Sequence, residues 1–456
     1  MGNTLKTPIG ESVQERKFQI NKTLLWLLVF SIAYLLRDIA KLPMPDILFT
    51  GVCGLAFFLL PTGSAMGVYM FTSALTVPDF EIRLVYLAVL ILKFWMQNKK
   101  FKASMLMVII SMAFLELLNM MLFSKRAVFG VIYDVVMRLS YFVLPAFWFS
   151  EDYSKEDYKR ALLCYVGGVI LGGAVMLWIS VEAVGWKVLL QGAEVRLGLN
   201  TTNGYVTQSA MRTSYNANQL GCMFTIVVAT ALAMMDRKMM SKFWGILLIV
   251  FSAFLIVLTK SRTAILLLFG IVIVYCLILI FRRKKLLTGV LFLAAIAALT
   301  YGIMTLFPET VEDLMARFQD ETNRTGGRDV LFAHYMTAWT ENAWVFLFGY
   351  GIGSYYQVVN ISNVPHNILT DILISWGLVG IVLVVVMLVC LWRHTAKCVG
   401  KKERLLVYFP AIVALVAEFS GQYLSTSYPH MRLCFLIMAA KALVESTQTN
   451  LEHMGG

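Results

Sequence analysis

Charged residues are scarce in this chain. Asp, Glu, Lys and Arg make up 14% of its 456 residues, whereas 59% of the residues are hydrophobic. A soluble protein of this size cannot bury so much apolar surface, so lipid must form part of its solvent. About 20 apolar residues span a bilayer as a helix, and such stretches recur along the sequence. The composition therefore predicts a single integral membrane domain over residues 1–456, with no room for a separate soluble domain.

Cysteine motifs are also missing. The chain has seven cysteines but no CxxC pair, and cysteines such as Cys53, Cys164 and Cys276 lie inside apolar runs. This pattern indicates neither a disulfide framework nor a zinc site. The formal net charge is +12, yet no basic run is interleaved with aromatic residues as a nucleic-acid surface requires. The charge is instead explained by basic loops beside anionic lipid headgroups, and we expect no nucleic-acid partner.

Apolar runs separated by basic clusters are what the sequence does contain. The runs predict an all-α polytopic membrane protein of about 12–14 transmembrane helices. Lys and Arg concentrate in alternate connections, which are 99–102, 155–160, 237–242, 282–285 and 393–404. The positive-inside rule assigns these connections, and with them both termini, to the cytoplasm.

Two long connections fall on the opposite, outer side by this assignment. The first outer loop covers 185–216 and the second covers 307–365. Within the second, Val311, Leu314 and Phe318 recur at helical spacing, which is typical of an amphipathic helix on a membrane surface. We interpret the second loop as a lid-like segment that packs over the membrane domain.

Five basic residues of the outer side are candidates for chemistry. They are Arg196, Arg212, Arg262, Arg328 and His366. Arginine holds phosphate in a bidentate fork, and histidine can accept a proton near neutral pH. The combination predicts a pocket for a phosphate-bearing ligand, with His366 as the catalytic proton acceptor. No DxD-like metal motif and no acid/base pair of carboxylates stands nearby, so we predict no metal and no cofactor, and glycoside hydrolysis is disfavoured.

Each candidate also has a structural interpretation. His366 can be a helix cap or an interface residue, and His430 is a rival proton acceptor on the same side. Arg262 can anchor a lipid headgroup at a helix end. Arg196 and Arg212 can be solvated loop charges. The sequence alone leaves these alternatives open.

The order of these motifs resembles that of a known superfamily. The run His366-Asn367, nine residues, Gly377, two residues and Gly380 is similar to the signature of the O-antigen ligases and of the related O-antigen and capsular polysaccharide polymerases. The hairpin 259–263 resembles the second arginine motif of that superfamily, and the likeness extends over roughly 190–395. It implies that Arg262 and one loop arginine, Arg196 or Arg212, bind a pyrophosphate.

The resemblance implies a metal-independent membrane glycosyltransferase in the bacterial cytoplasmic (inner) membrane, multi-pass, with its active site facing the periplasm or cell exterior. Its donor would be an undecaprenyl-pyrophosphate-linked oligosaccharide in membrane lipid, and a chain-length regulator and a flippase of the same pathway would be partners. We favour a polysaccharide polymerase, whose acceptor is another lipid-linked glycan, over an O-antigen ligase acting on lipid A core.

A lipid-linked oligosaccharide flippase or transporter is the alternative from a different class. A transporter is expected to bury charged residues near the bilayer centre. Apolar spans such as 263–281 and 286–306 carry none, which favours an enzyme working at one face.

Overall fold

Helices make up the regular structure of the chain. The computed structural model describes residues 9–75, 79–123, 136, 140, 143–151, 153–191, 195–198, 216–282, 284–306, 308–319, 328–351, 365, 367–396, 403–419, 441 and 443. Within these ranges no strand occurs. This confirms the sequence prediction of an all-α polytopic membrane protein.

The helices are numbered here in chain order. Their bounds are α1 Ile9–Asp38, α2 Asp46–Leu59, α3 Thr62–Ser73, α4 Asp79–Met96, α5 Ala103–Phe123, α6 Lys155–Gln191, α7 Ala217–Asp236, α8 Lys242–Thr259, α9 Arg262–Leu277, α10 Leu286–Leu306, α11 Pro308–Gln319, α12 Arg328–Thr340, α13 Ala343–Phe348, α14 Ile368–Ala396, α15 Arg404–Val407 and α16 Phe409–Glu418. A π-helical turn, Ile278–Arg282, continues α9.

Short polar side chains begin several of these helices. Asn216 accepts a hydrogen bond from Asn218 N (2.9 Å) at the start of α7, and Ser241 accepts one from Trp244 N (3.4 Å) at the start of α8. Asn342 accepts from Val345 N (2.9 Å) before α13. Such caps satisfy backbone N–H groups that lack a partner inside the helix. They fix where the chain turns from loop to helix.

In the described part of the chain, six helices are long and apolar enough to cross a membrane. They are α5, α6, α7, α8, α9 with its π turn, and α14. Large apolar side chains point outward from the bundle, with Ile47 82% and Met121 84% exposed, as expected when lipid is the solvent. The larger total of 12–14 spans and the cytoplasmic position of both termini stay predictions.

Helix α7 lies at the centre of the domain. It packs against α6, α8, α9 and α16, and nearly all of its residues are buried inside the protein. Helix α3 is similarly enclosed, because every residue of Gly63–Ser73 is buried. With 12 residues, α3 is roughly 18 Å long, which is shorter than the roughly 30 Å hydrocarbon core.

The bundle has two chemically different ends. At one end, which we call the basic end, connections that the sequence assigns to the cytoplasmic side contact one another. These contacts are the ion pairs Lys99–Glu151 and Arg237–Glu403 and the hydrogen bond from Arg160 Nη1 to Ser64 Oγ (2.9 Å). The other, the opposite end, includes the ion pair Lys41–Glu182 (2.9 Å). Residues assigned to one side thus meet at one end of the bundle.

Candidate functional site

A tight hairpin joins α8 to α9 at the opposite end of the bundle. Lys260 adopts a left-handed conformation (φ 48°, ψ 29°) that ends α8, and Ser261 caps α9 by accepting a hydrogen bond from Ala264 N (3.3 Å). Thr259 Oγ1 accepts from Ser261 N (3.3 Å). Arg262 is consequently the first residue of α9, and its side chain is half-buried. The turn holds this guanidinium at a helix N-terminus.

The segment that carries Arg196 runs beside this hairpin. Leu197 N donates a hydrogen bond to Leu258 O (2.9 Å), four residues before Arg262. Val195 and Leu197 are buried, so the segment is anchored on both sides of Arg196. The side chain of Arg196 is half-buried, and its Nε is fully enclosed without a hydrogen-bond partner. The structure therefore brings two of the predicted arginine positions to one place.

The first turn of α7 packs on the same hairpin. A Cβ added at Gly221 would lie 2.6 Å from the Cβ of Ala264 and 3.0 Å from Thr259 Oγ1, so only glycine permits this approach. Two residues earlier, Gln219 is 6% exposed and its Nε2 has no hydrogen-bond partner. Sequence reasoning does not single out Gln219, although a polar residue in the first turn of an apolar helix is a usable signal.

The helix that follows the predicted histidine begins with a polar cap. Asn367 Oδ1 accepts hydrogen bonds from Leu369 N (2.8 Å) and Thr370 N (3.4 Å) at the start of α14. The capping role thus belongs to Asn367. His366 lies outside the described residues, as do Arg212 and the rival His430. Asn367 fixes the helix start directly after His366 in the chain.

Arg328 is the first residue of α12 and is half-buried. Helix α12 packs against α13 and α14. Its buried residues Tyr335 and Ala338 form an apolar cluster with Ile374 of α14 that is separate from the main core. The structure therefore groups Arg328 with this cluster. Arg196 and Arg262 lie instead at the hairpin between α8 and α9, which we call the hairpin region.

The two motif glycines lie at a break inside α14. Gly377 has φ 61° and ψ −159°, which is not helical. A Cβ at this position would collide with the backbone of Leu347 and Phe348. A Cβ at Gly380 would collide with Trp376 of the same helix. Gly377 therefore permits a backbone crossing at a helix break.

The segment 349–351 replaces hydrogen bonds that the break removes from α14. In an unbroken helix the carbonyls of Ile374 and Ser375 would accept from N–H groups four residues further on. Here they accept from Tyr350 N (2.9 Å) and Gly351 N (2.8 Å).

Burial, with the nearby Glu341 carboxylate, raises the pKa of Tyr350 to about 12. The Tyr350 hydroxyl therefore stays protonated near neutral pH and can donate to Glu341 Oε2 (3.2 Å).

The fold and the hairpin define a class of protein. It is a polytopic helical membrane protein that holds Arg196 and Arg262 near each other at the opposite end of its bundle. Residues 246–385 match the family model described as O-antigen ligase. This match confirms the resemblance to the O-antigen ligase/polymerase superfamily that the motifs indicate, over the part of the chain that carries most of them. No curated protein matches the chain.

The matched region begins in α8 and ends in α14. It contains Arg262, Arg328 and the run from His366 to Gly380, whereas Arg196 and Gln219 lie before it. The family supports a glycosyltransferase-type enzyme with activity of the O-antigen ligase or polymerase kind. It also implies lipid-linked oligosaccharide substrates and contact with membrane lipid.

Proposed function

We propose that this protein is a polysaccharide polymerase of the bacterial cytoplasmic membrane. It transfers a glycan from an undecaprenyl-pyrophosphate donor to a hydroxyl of an acceptor lipid-linked glycan, on the outer face of that membrane. The observation that carries the proposal is the hydrogen bond from Leu197 N to Leu258 O. That bond sets the Arg196 segment against the hairpin that presents Arg262, so two guanidinium groups can serve one pyrophosphate.

The groups at the α8–α9 hairpin and the adjoining start of α7 suit an anionic ligand. Helices α7 and α9 both begin here, and helix N-termini favour negative charge. Arg196 Nε and Gln219 Nε2 are enclosed donors without partners. A buried donor left unsatisfied costs about 1–3 kcal/mol, and pyrophosphate oxygens would remove that cost. The donor set supports binding of a pyrophosphate leaving group.

We assign Arg196 as the loop arginine that binds the pyrophosphate together with Arg262. It is anchored beside the hairpin by the backbone of Leu197, and this anchoring supports its assignment over Arg212. Arg212 remains the competing choice and is outside the described residues. Arg328 is a secondary candidate, because its helix belongs to a separate apolar cluster.

The proposed reaction is a direct displacement. His366 accepts the proton of the attacking hydroxyl, whose oxygen forms a bond to the anomeric carbon. The bond from that carbon to the pyrophosphate oxygen breaks, and the leaving group departs with the electron pair. Arg196 and Arg262 offset its growing negative charge, which in our proposal replaces a metal ion. A single displacement inverts the anomeric centre.

An O-antigen ligase uses the same donor chemistry with a different acceptor, and the family match supports this alternative equally. The test supplies purified protein in lipid vesicles with donor, then adds either lipid-linked glycan or lipid A core as acceptor. A polymerase lengthens the lipid-linked glycan and ignores lipid A core. His366→Ala should abolish either product. Transfer at the normal rate by that variant would overturn the proposed mechanism.

A further inference from the structure

Two polar residues of α5 hold the break in α14. Glu116 is 2% and Asn119 0% exposed, in a helix whose other residues are apolar except for Ser104 and Ser111. Buried polar groups at this depth are costly unless they are hydrogen-bonded. Both residues have specific hydrogen-bond partners at the break, more than 220 positions away in the chain.

Asn119 connects three elements. Its Nδ2 donates to Phe348 O at the end of α13 (2.6 Å) and to Ser375 O in α14 (3.4 Å). Its Oδ1 accepts from Trp344 Nε1 (3.4 Å). The same side chain therefore ties the segment before the break in α14 to the backbone that crosses it.

Glu116 holds the residue directly before Gly377. Trp376 Nε1 donates to Glu116 Oε2 over 2.6 Å, and Trp376 is 1% exposed. This hydrogen bond is enclosed by protein, because both Glu116 and Trp376 are buried. Together with Asn119, it fixes both the position and the rotation of α14 at the break.

The part of α14 that precedes the break acts as a short lever on the contacts made by Glu116 and Asn119. It contains nine residues, 368–376, and is therefore about 14 Å long. A rotation of about 10° at the break would move its start by roughly 2 Å. Displacements of about 1 Å at a reacting group can lower a rate by about 100-fold.

We propose that Glu116 and Asn119 are positioning residues for the transfer reaction. They set the orientation of residues 368–376 and thereby of Asn367 and the adjoining His366. This inference rests on the proposed function, in which His366 accepts the proton of the attacking hydroxyl. It assigns a role in the reaction to α5, which lies outside the region matched by the family model.

The variants Asn119→Ala, Glu116→Leu and Glu116→Gln test this role in the full-length protein. Thr395→Val is the matched control, because the buried Thr395 makes a partly buried hydrogen bond with Tyr408 (2.6 Å), and both residues follow the break in the chain. Vesicles of phosphatidylethanolamine and phosphatidylglycerol receive the lipid-linked glycan that accumulates in cells carrying His366→Ala. Initial rates then give kcat and KM separately.

We expect Asn119→Ala and Glu116→Leu to lower kcat by about 10- to 100-fold while KM stays near that of the unmodified protein. Glu116→Gln keeps an acceptor oxygen for Trp376 and should restore most of kcat. Hydrogen exchange at the amides of Tyr350 and Gly351 should quicken in the two damaging variants, and Thr395→Val should change neither readout.

Normal kcat in both Asn119→Ala and Glu116→Leu would overturn the inference. So would an equal loss in Thr395→Val, since that result would indicate general destabilisation. If Asn119→Ala does not fold, Trp376→Phe replaces it in the test, because this variant removes the indole N–H along with part of the ring. If His366→Ala and Arg262→Ala retain full activity, the proposed function fails. In that event the exchange arm still shows whether Glu116 and Asn119 brace the break.

Discussion

At the scale of single residues, the hairpin region combines charged and neutral donors. Arg262 opens α9, Arg196 is anchored next to Leu258, and Gln219 lies buried in the first turn of α7. The enclosed Arg196 Nε and Gln219 Nε2 lack partners, and buried polar groups usually have one. An oxyanion ligand would give both donors a function.

Arg262 tests the need for a planar, bidentate cation. Arg262→Ala should lower kcat/KM by about 100-fold or more, because it removes charge that offsets the leaving group. Arg262→Lys keeps the charge but not the fork, so we expect an intermediate loss. Initial rates in vesicles measure both variants. Equal activity of the lysine variant and the unmodified protein would contradict bidentate binding.

Gln219 separates ligand binding from stability. Gln219→Leu removes the unsatisfied amide and keeps a similar volume, so the melting temperature should stay the same or rise. Activity should fall by about 10-fold if the amide donates to the pyrophosphate, the equivalent of about 1.4 kcal/mol. Thermal unfolding and rate measurements on one preparation provide both values. Unchanged activity would remove Gln219 from the site.

At the scale of elements, the break in α14 depends on Gly377. Gly377→Ala places a Cβ against the backbone of Leu347 and Phe348 in a left-handed conformation. We expect it to destabilise the protein by about 2 kcal/mol or more. Gly270→Ala in α9 is the control, since a Cβ there meets nothing within 4 Å. Thermal unfolding should show a drop for the first variant only, and equal melting temperatures would contradict the account.

The sequence predicts the helices better than it predicts their interruptions. Asn216 and the 259–263 hairpin are recognisable because caps and tight turns use local signals. The break at Gly377 is not recognisable in this way, since the apolar run continues on both sides of it. The contact between Glu116 and Trp376 joins residues 260 positions apart, and no local pattern encodes such a pairing.

The buried Glu116 of α5 bears on the alternative that the protein is a transporter. Spans such as 263–281 carry no charge in their middle, but α5 carries Glu116. The structure engages Glu116 with Trp376 and Asn119 with Phe348 and Ser375. These contacts give the buried polar residues of α5 a bracing role within the fold, so their presence does not by itself favour transport.

At the scale of the whole molecule, the two ends of the bundle should face opposite sides of the membrane. Lys41 is exposed at the opposite end, and Lys242 is exposed at the start of α8 near the basic end. In intact cells, a membrane-impermeant maleimide should label Lys41→Cys. It should reach Lys242→Cys only after permeabilisation. The reverse pattern would place the hairpin with Arg262 in the cytoplasm and contradict an outward-facing site.

The proposed reaction is best tested by measuring the release of undecaprenyl pyrophosphate during glycan transfer by the purified protein in vesicles. We expect each new glycosidic bond to release one molecule of undecaprenyl pyrophosphate. We also expect release and bond formation to be lost together in Arg262→Ala and in His366→Ala. Glycan extension without this release, or normal release by both variants, would contradict the proposed reaction.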